Sequence, residues 1–194
     1  MKAGTRALGI AESYRGERGR STLAGAVVKA SRVVDGFVLG SCTVGGTDAT
    51  EAIVALHDRL DRADVSYLFV SGIAPAWYNI LDLKHLHDAT EMPVLSLSFE
   101  ESPGLESALR SEFSGDALAT RLDTYRAQPP RHRCSVNDES LFVRSVGIDG
   151  GDAEAIVRGF TPEGGRPEPL RVARLAARAG DSWTTDGSGS DSDG

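Results

Sequence analysis

Three apolar segments open the chain, and in each of them small apolar residues alternate with polar ones, as is typical of β-strands. They lie at Thr5–Ser13, at Thr22–Ala30 and within Val33–Val44. Short connections marked by Gly, Arg or Asp separate them, which predicts an antiparallel meander. The chain therefore begins with three strands that pair in sequence order.

Helix and strand patterns then alternate, which indicates an α/β arrangement. Apolar residues at helical spacing predict a helix that begins at Thr47 or Asp48. Ser66–Ser71 and Pro93–Phe99 are almost wholly apolar, which predicts parallel strands buried on both faces. The segment Trp77–His87 between them is predicted to be a helix.

The remainder of the chain is more helical. The pattern predicts helices within residues 103–113, 115–125, 149–159 and 169–179, and one strand at Leu141–Val146. Gly180–Gly194 is rich in Ser, Gly and Asp, and we predict that it is a disordered acidic tail. The expected organisation is a single domain over residues 1–179 followed by the tail at 180–194.

The element order predicts an α/β fold with a mixed sheet, in which three antiparallel strands precede parallel ones and helices cover both faces. This is the ribonuclease H-like arrangement. In that fold the carboxyl ends of the first and fourth strands lie side by side, and acidic side chains there bind divalent metal. Here those ends carry Ala11-Glu12 and Ser71-Gly72, so one acid stands where a metal-dependent nuclease needs several.

The composition supports a folded protein with an acidic surface. Hydrophobic residues make up 40% of the chain, which is enough for a core, and the net charge is −7. Only three of the 21 basic residues are Lys, and an acidic, Lys-poor surface predicts a halophilic archaeal or bacterial source, in which molar salt shortens the Debye length to ~3 Å. The charge therefore argues only mildly against a nucleic-acid partner.

No window approaches the ~18 apolar residues of a membrane span, and the amino terminus lacks the apolar run of a signal peptide. Cys42 and Cys134 have no metal-type spacing. We therefore predict a cytoplasmic protein with free, buried thiols and no membrane partner. The sequence gives no indication of the oligomeric state.

Several segments together resemble the archaeal domain-of-unknown-function 99 family, also called the endonuclease dU family, which is similar to endonuclease V. They are Gly9-Ile10, Thr47–Glu51, the region from VSGIA to WYNILDL, and Pro167–Arg171, within a match over residues 4–178. The resemblance implies a ribonuclease H-like (endonuclease V-like) fold, and metal-dependent cleavage of DNA at damaged bases such as deoxyuridine, a DNA repair role.

The chain departs from the family pattern where metal chemistry matters most. The family usually reads Gly-Ile-Asp-Asp on the first strand, where this chain has Gly9–Glu12 as Gly-Ile-Ala-Glu. It usually has Asp-Gly after the central strand, where this chain has Ser71-Gly72. Asp48, Asn79 and Asp82 match the family.

If the chain is active, Glu12 and Asp48 are the candidate ligands of Mg²⁺ or Mn²⁺, and Asp82 is a candidate outer-sphere catalytic acid. Two other interpretations stay open: Asp48 as a helix N-cap, and Glu12 as a solvated acid at a strand end. Because adjacent strand residues point to opposite faces, Glu12 cannot simply replace an acid at Ala11.

Four residues are candidates for substrate binding. Trp77 and Tyr78 could stack on a base, although core packing is the alternative. Arg15 could hold a phosphate, and Asn79 could contact the substrate, although both residue types are also common on solvated surfaces.

Two hypotheses follow. In the first, the chain is an endonuclease V-like nucleic-acid protein with a degenerate metal site and reduced or absent catalysis, and DNA is its candidate partner. In the second, it is a metal-dependent endonuclease acting on deaminated or damaged DNA through Glu12 and Asp48.

Overall fold

A computed structural model describes residues 1–14 and 19–187, and within them seven strands form one sheet in the order β3-β2-β1-β4-β5-β7-β6. The strands are β1 (Arg6–Ser13), β2 (Arg20–Lys29), β3 (Val34–Thr43), β4 (Val65–Ser71), β5 (Val94–Ser98), β6 (His132–Val136) and β7 (Glu139–Val146). The helical elements are α1 (Ala49–Leu60), α2 (Pro75–Tyr78), α3 (Leu83–Thr90), α4 (Glu106–Glu112), α5 (Gly115–Arg126), α6 (Gly150–Gly159) and α7 (Glu168–Gly187).

The centre of the sheet confirms the predicted strand directions. β1 and β2 pair antiparallel, as do β2 and β3, whereas β1 pairs parallel with β4 and β4 pairs parallel with β5. Ile10 is opposite Val70 in the parallel register. The next residues along, Ala11 and Ser71, are therefore neighbours at the carboxyl edge of the sheet.

Helices cover both faces of the sheet, and strand alternation decides which residue contacts which helix. On one face, Ile10 and Val70 share a buried cluster with Ile53 of α1. On the other face, Ala11 packs with Val172 and Ala173 of α7. Consecutive residues of β1 therefore belong to different cores.

Gly9 sets the distance between β1 and α7. A Cβ built on Gly9 would lie 2.3 Å from both the carbonyl carbon and the oxygen of Pro169, which is far inside van der Waals contact. Pro169 is in the first turn of α7, and its backbone cannot move without shifting the helix. Only a glycine at this position lets the helix lie directly on the strand.

The edge of the sheet beyond β5 has two strands, where the sequence predicted only one, at Leu141–Val146. β6 and β7 form an antiparallel hairpin, and β7 also pairs antiparallel with β5. Asn137 and Asp138 form the turn with φ of 51° and 65°, which suits a two-residue hairpin. β6 was missed because only Cys134 and Val136 are buried in it, between exposed polar residues.

The predicted helix over Trp77–His87 is wrong in its first half. Ala76, Trp77 and Tyr78 have φ of 46°, 56° and 58°, so α2 is a left-handed turn rather than the start of a helix. The right-handed helix α3 begins later, after Asp82. Three consecutive non-glycine residues in the left-handed region are rare, because each Cβ crowds the backbone, and no sequence pattern predicts them.

The last helix is longer than predicted. α7 continues to Gly187, so residues 180–187 are helical and correct the expected start of the tail. Asp181, only 2% exposed, accepts a hydrogen bond from the hydroxyl of Ser13 at 3.2 Å, so the helix stays attached to the sheet beyond Gly180. Residues 188–194 lie outside the described residues, and the single-domain boundary stays a prediction.

Both cysteines are buried and free, as expected. Burial raises the pKa of the Cys42 thiol to about 12, with the carboxylates of Asp48 and Glu12 adding to the effect, so the thiol stays protonated. In the part of the chain that the structure describes, no helix combines the length and apolar character needed to cross a bilayer.

We expect Gly9→Ala to lower the free energy of unfolding by about 1–3 kcal/mol, because the added methyl group forces α7 away from β1. Urea denaturation followed by circular dichroism measures the change. Gly4→Ala is the matched control, since a Cβ there meets nothing within 4 Å. Equal stability of the two variants would contradict the packing described for β1 and α7.

Candidate functional site

On the face that α7 covers, no strand residue at the carboxyl edge of β1 and β4 is an acid, and the carboxylate that reaches this edge is that of Asp181 in α7, hydrogen-bonded to Ser13. Ala11 is 5% exposed and packs on Val172 and Ala173. Ser71 is its neighbour across the parallel pair and is exposed. Neither a methyl group nor a hydroxyl is a strong ligand for a hard divalent cation, which prefers carboxylate oxygen.

Glu12 lies on the opposite face of the sheet from Ala11, as strand alternation requires. Its carboxylate accepts a short hydrogen bond from the hydroxyl of Ser21, a fully buried residue of β2. The same hydroxyl lies 3.0 Å from the carbonyl oxygen of Ser13. Glu12 is therefore bound to β2 and does not fill the position of the missing acid.

Asp48 has the backbone position of an N-cap, yet its side chain makes no cap hydrogen bond to α1. The carboxylate instead faces back toward β3. It accepts from the backbone N–H of Thr43 at 2.9 and 3.1 Å, from the Thr43 hydroxyl at 2.8 Å and from the Asn79 amide at 2.8 Å. Burial alone would raise the pKa of Asp48, but these hydrogen bonds outweigh it and the pKa is lowered.

Asn79 is fully buried and joins three segments. Its amide nitrogen donates to the carbonyl oxygen of Thr43 at 2.9 Å and to Asp48, while its amide oxygen accepts from the backbone N–H of Ala49 at 3.0 Å. Asn79 thus caps the first residue of α1 in place of Asp48. All of these bonds are internal, so the geometry gives this predicted substrate contact a structural role.

Asp82 lies at the start of α3 and is not part of the hydrogen bonds around Asp48. Its carboxylate accepts from the backbone N–H groups of Lys84 and His85, both at 3.0 Å, and so caps α3. Its own N–H donates to the hydroxyl of Thr50 in α1 at 3.0 Å. The carboxylate of Asp82 is therefore used as the N-cap of α3, and no hydrogen bond joins it to Glu12 or Asp48.

The left-handed turn presents two aromatic residues. Trp77 is 49% exposed, and its ring centroid lies 5.4 Å from that of Phe113. Tyr78 meets the same phenylalanine edge-on at 6.1 Å. Half of Trp77 therefore remains available to solvent or to a ligand. Arg15, the fourth predicted substrate contact, lies outside the described residues.

Arg121 was not among the predicted site residues. It is 5% exposed, and its guanidinium lies 4.0 Å from the ring centroid of Phe113. It donates to four carbonyl oxygens, those of Gly45, of Gly46 at 3.0 Å, of Tyr78 at 3.1 Å and, within its own helix, of Ala117 at 2.9 Å. Burial lowers the pKa of Arg121. The residue fastens the loop before α1 to the left-handed turn, and no local motif identifies it.

The residues present do not fit Mg²⁺ or Mn²⁺. Across residues 1–14 and 19–187, no three His, Cys, Asp or Glu side chains form a group that could hold a metal ion. Glu12, Asp48 and Asp82 are each bound to different protein donors rather than to one another. A cation needs several carboxylate oxygens free to converge, and this arrangement does not supply them.

A cleft of about 530 Å³ opens at the carboxyl ends of β4 and β5. Residues 71–74 form one wall, and residues 96–100 and 102–105 form much of the rest. The other lining residues are Tyr125, Arg131, Phe142, Arg144 and Arg166. The cleft therefore begins at Ser71 and is bordered by three arginines.

Comparison with protein families gives one match over almost the whole described chain. The family model described as Endonuclease dU matches residues 3–180. A UPF0215 protein of Pyrobaculum calidifontis is 36% identical over 172 residues, which cover 88% of this chain and 93% of the relative. A UPF0215 protein of Thermococcus gammatolerans is 34% identical over 83% of this chain and 82% of its own length.

Solved structures show the same fold. A protein of unknown function from Archaeoglobus fulgidus superposes with a TM-score of 0.80 at 24% identity, over 90% of this chain and 97% of that one. Endonuclease V of Streptomyces avermitilis gives 0.63 at 18% identity, over 94% and 84%. Endonuclease V of Ciona intestinalis, solved with inosine-containing DNA, gives 0.63 at 10% identity, over 93% and 86%. The predicted ribonuclease H-like, endonuclease V-like fold is confirmed.

The lowered pKa of Asp48 makes part of the stability depend on pH. A carboxylate whose pKa is lower in the folded state than its ordinary 3.8 stabilises the fold above that value, and this contribution disappears as the pH falls through the folded-state pKa. We expect Asp48→Asn to be destabilised by about 1–3 kcal/mol near neutral pH, because an amide cannot accept all of these bonds.

The stability difference between wild type and Asp48→Asn should shrink as the pH falls from about 5 to about 2. Urea denaturation at a series of pH values measures it. Asp88→Asn, an exposed position on α3, is the matched control and should leave the stability unchanged throughout. A difference for Asp48→Asn that stayed constant with pH would contradict the role assigned to the charged carboxylate.

Proposed function

Because the chain belongs to the Endonuclease dU family, we propose that it is a nucleic-acid-binding protein that keeps the nuclease fold but has a degenerate metal site. Its ligand under this proposal is DNA, and deaminated or otherwise damaged DNA in a repair role is the finer form of the proposal. Binding, rather than hydrolysis through a carboxylate-held metal, is its function.

One observation carries the proposal. Ala11 and Ser71 occupy neighbouring positions at the carboxyl edge of β1 and β4, and Glu12 faces the other side of the sheet. Hydrolysis of a phosphodiester by a nuclease of this kind needs an activated water and stabilised phosphate oxygens, which Mg²⁺ held by carboxylates provides. Without acids that converge, the edge has no means of holding that ion.

Other features support a nucleic-acid ligand. The fold is shared with endonuclease V, and the Ciona intestinalis protein was solved bound to DNA. Trp77 is half exposed beside the carboxyl edge, where an aromatic ring can stack on a base. The net charge of −7 opposes broad contact with a polyanion, so binding should rest on a local surface and weaken with salt.

The rival function is a metal-dependent endonuclease that uses Glu12 and Asp48. The observation in its favour is that both carboxylates are close enough to Cys42 to contribute to the raised pKa of its thiol. The two acids therefore share one region, although each is hydrogen-bonded to the protein. A cytoplasmic location and adaptation to molar salt are also proposals, and they rest on the acidic, Lys-poor composition.

We expect the protein to bind uracil-, inosine- or abasic-site DNA without cleaving it in the presence of Mg²⁺ or Mn²⁺. Fluorescence anisotropy measures binding, and denaturing gel electrophoresis of end-labelled strands measures cleavage, both over a range of salt concentrations. Trp77→Ala should weaken binding by about tenfold, since stacking on a base contributes ~1–3 kcal/mol.

The controls separate the two candidate functions. Phe37→Ala, at an exposed aromatic residue in the middle of β3 and away from the carboxyl edge, is the matched control for Trp77→Ala. Metal-dependent cleavage that is lost in both Glu12→Gln and Asp48→Asn would replace the proposal with the endonuclease. Absence of DNA binding at low salt would refute a nucleic-acid role altogether.

Introducing acids at positions 11 and 71 tests whether their absence is what prevents metal binding at the sheet edge. We expect the double variant Ala11→Asp/Ser71→Asp to be less stable than wild type without metal, because Asp at position 11 would be buried against α7. Mn²⁺ should restore stability to the double variant, and titration calorimetry should detect binding that the wild type lacks.

The single variants Ala11→Asp and Ser71→Asp are the controls, and each should respond to Mn²⁺ less than the pair does. If wild type bound Mn²⁺ as tightly as the double variant, the metal site would not be degenerate.

A further inference from the structure

Three arginines from different parts of the chain border the cleft at the ends of β4 and β5. Arg131 precedes β6, Arg144 lies in β7 opposite Ser96 of β5, and Arg166 lies in the loop before α7. All three are half-buried. Their convergence comes from the sheet order, which brings β7 next to β5, and it has no counterpart in the linear sequence.

Packing holds two of the guanidinium groups in place. Arg131 lies 4.3 Å from the ring centroid of Phe142 and donates to the carbonyl oxygen of Ser102 at 2.9 Å. Arg166 lies 3.9 Å from the ring centroid of Phe99. A guanidinium stacked on a ring keeps its N–H groups at its edge, where they can donate in the plane to an oxyanion.

The third arginine is held by the backbone. Arg144 donates to the carbonyl oxygen of Pro129 and also interacts with the hydroxyl of Tyr125, which leaves the rest of its five N–H donors for a ligand. Burial lowers the pKa of both Arg144 and Arg166, which is the sign of cations removed from water. Each remains a cation, because an arginine pKa stays far above neutral.

Among residues 1–14 and 19–187, no acid forms an ion pair with Arg131, Arg144 or Arg166, whereas several other arginines of the chain pair with carboxylates. Glu100 is the acidic residue that lines the cleft, and it is exposed. In a chain with a net charge of −7, a concentration of uncompensated positive charge indicates a site for an anion.

The cleft is larger than a phosphate ion and is partly apolar. Its volume of about 530 Å³ is in the range of small-molecule sites, and Ile73, Leu97 and Leu105 contribute to its lining. A ligand that fills it therefore carries an anionic group for the arginines and a flat or apolar group for the rest.

We propose that this cleft binds a phosphate monoester of a nucleoside, either as a free nucleotide or as the phosphorylated end of a strand. A monoester carries nearly two negative charges, so it matches three guanidinium groups better than a singly charged internal phosphodiester does. The proposal goes beyond DNA binding by the protein, since a free nucleotide would satisfy the cleft by itself.

Titration calorimetry with the four nucleoside 5′-monophosphates tests the proposal on the full chain. We expect at least one monophosphate to bind, and its nucleoside to bind at least about tenfold more weakly, because the nucleoside lacks the charge-assisted hydrogen bonds. Arg144→Gln and Arg166→Gln should each weaken monophosphate binding by about tenfold. Arg158→Gln, an exposed arginine of α6, is the control and should have no effect.

Two further arms locate the source of the phosphate. If an oligonucleotide with a 5′-phosphate binds more tightly than the same strand without it, the cleft recognises strand ends. If the two strands bind equally well and the monophosphate still binds, the ligand of the cleft is the free nucleotide. The cleft proposal would be overturned by two results together: a DNA affinity that is the same with and without the terminal phosphate and in the arginine variants, and equal affinity for nucleoside and monophosphate. DNA binding by the protein would still stand. The wild-type comparison of nucleoside with monophosphate decides the matter even if a glutamine variant fails to fold.

Discussion

The contact between β1 and its two neighbours, β4 beside it and α7 on its face, determines the rest of the structure. The parallel register with β4 places Ala11 next to Ser71, and Gly9 lets the backbone of Pro169 lie directly on the strand. Because the side-chain period of a strand is two, this packing also assigns Ala11 to the face of α7 and Glu12 to the opposite face. The chemistry available at the carboxyl edge follows from that assignment.

At that edge the strands are arranged as in a metal-dependent nuclease, but Ala11 and Ser71 stand where carboxylates would be needed to bind a metal ion. The three predicted acids are bound by Ser21, by Thr43 and Asn79, and by the first turn of α3, and Asp181 of α7 is hydrogen-bonded to Ser13. Each of these acids stabilises a local connection. Positive charge gathers in the adjoining cleft instead, where three arginines have no acidic partner among the described residues. The ligand that we propose at the end of β4 is therefore an anion and not a metal cation.

Local pattern was enough to predict β1 to β5, α1 and the adjacency of Ala11 and Ser71, because each strand is a distinct apolar run with clear boundaries. It was not enough for α2, where the left-handed turn depends on contacts from Arg121, more than forty residues further along the chain. The cap of α1 by Asn79 and the arginine cleft are likewise products of tertiary neighbours. α7 is longer than predicted because Asp181 is buried against the sheet, and the sequence gives no reason to expect a buried Asp there.

The most direct measurement is a crystal structure of the protein grown or soaked with Mn²⁺, with the ion located by its anomalous scattering. The account predicts no anomalous peak beside Glu12, Asp48 or Ser71. An ion at about 2.0–2.6 Å from a carboxylate oxygen of Glu12 or Asp48 would contradict it.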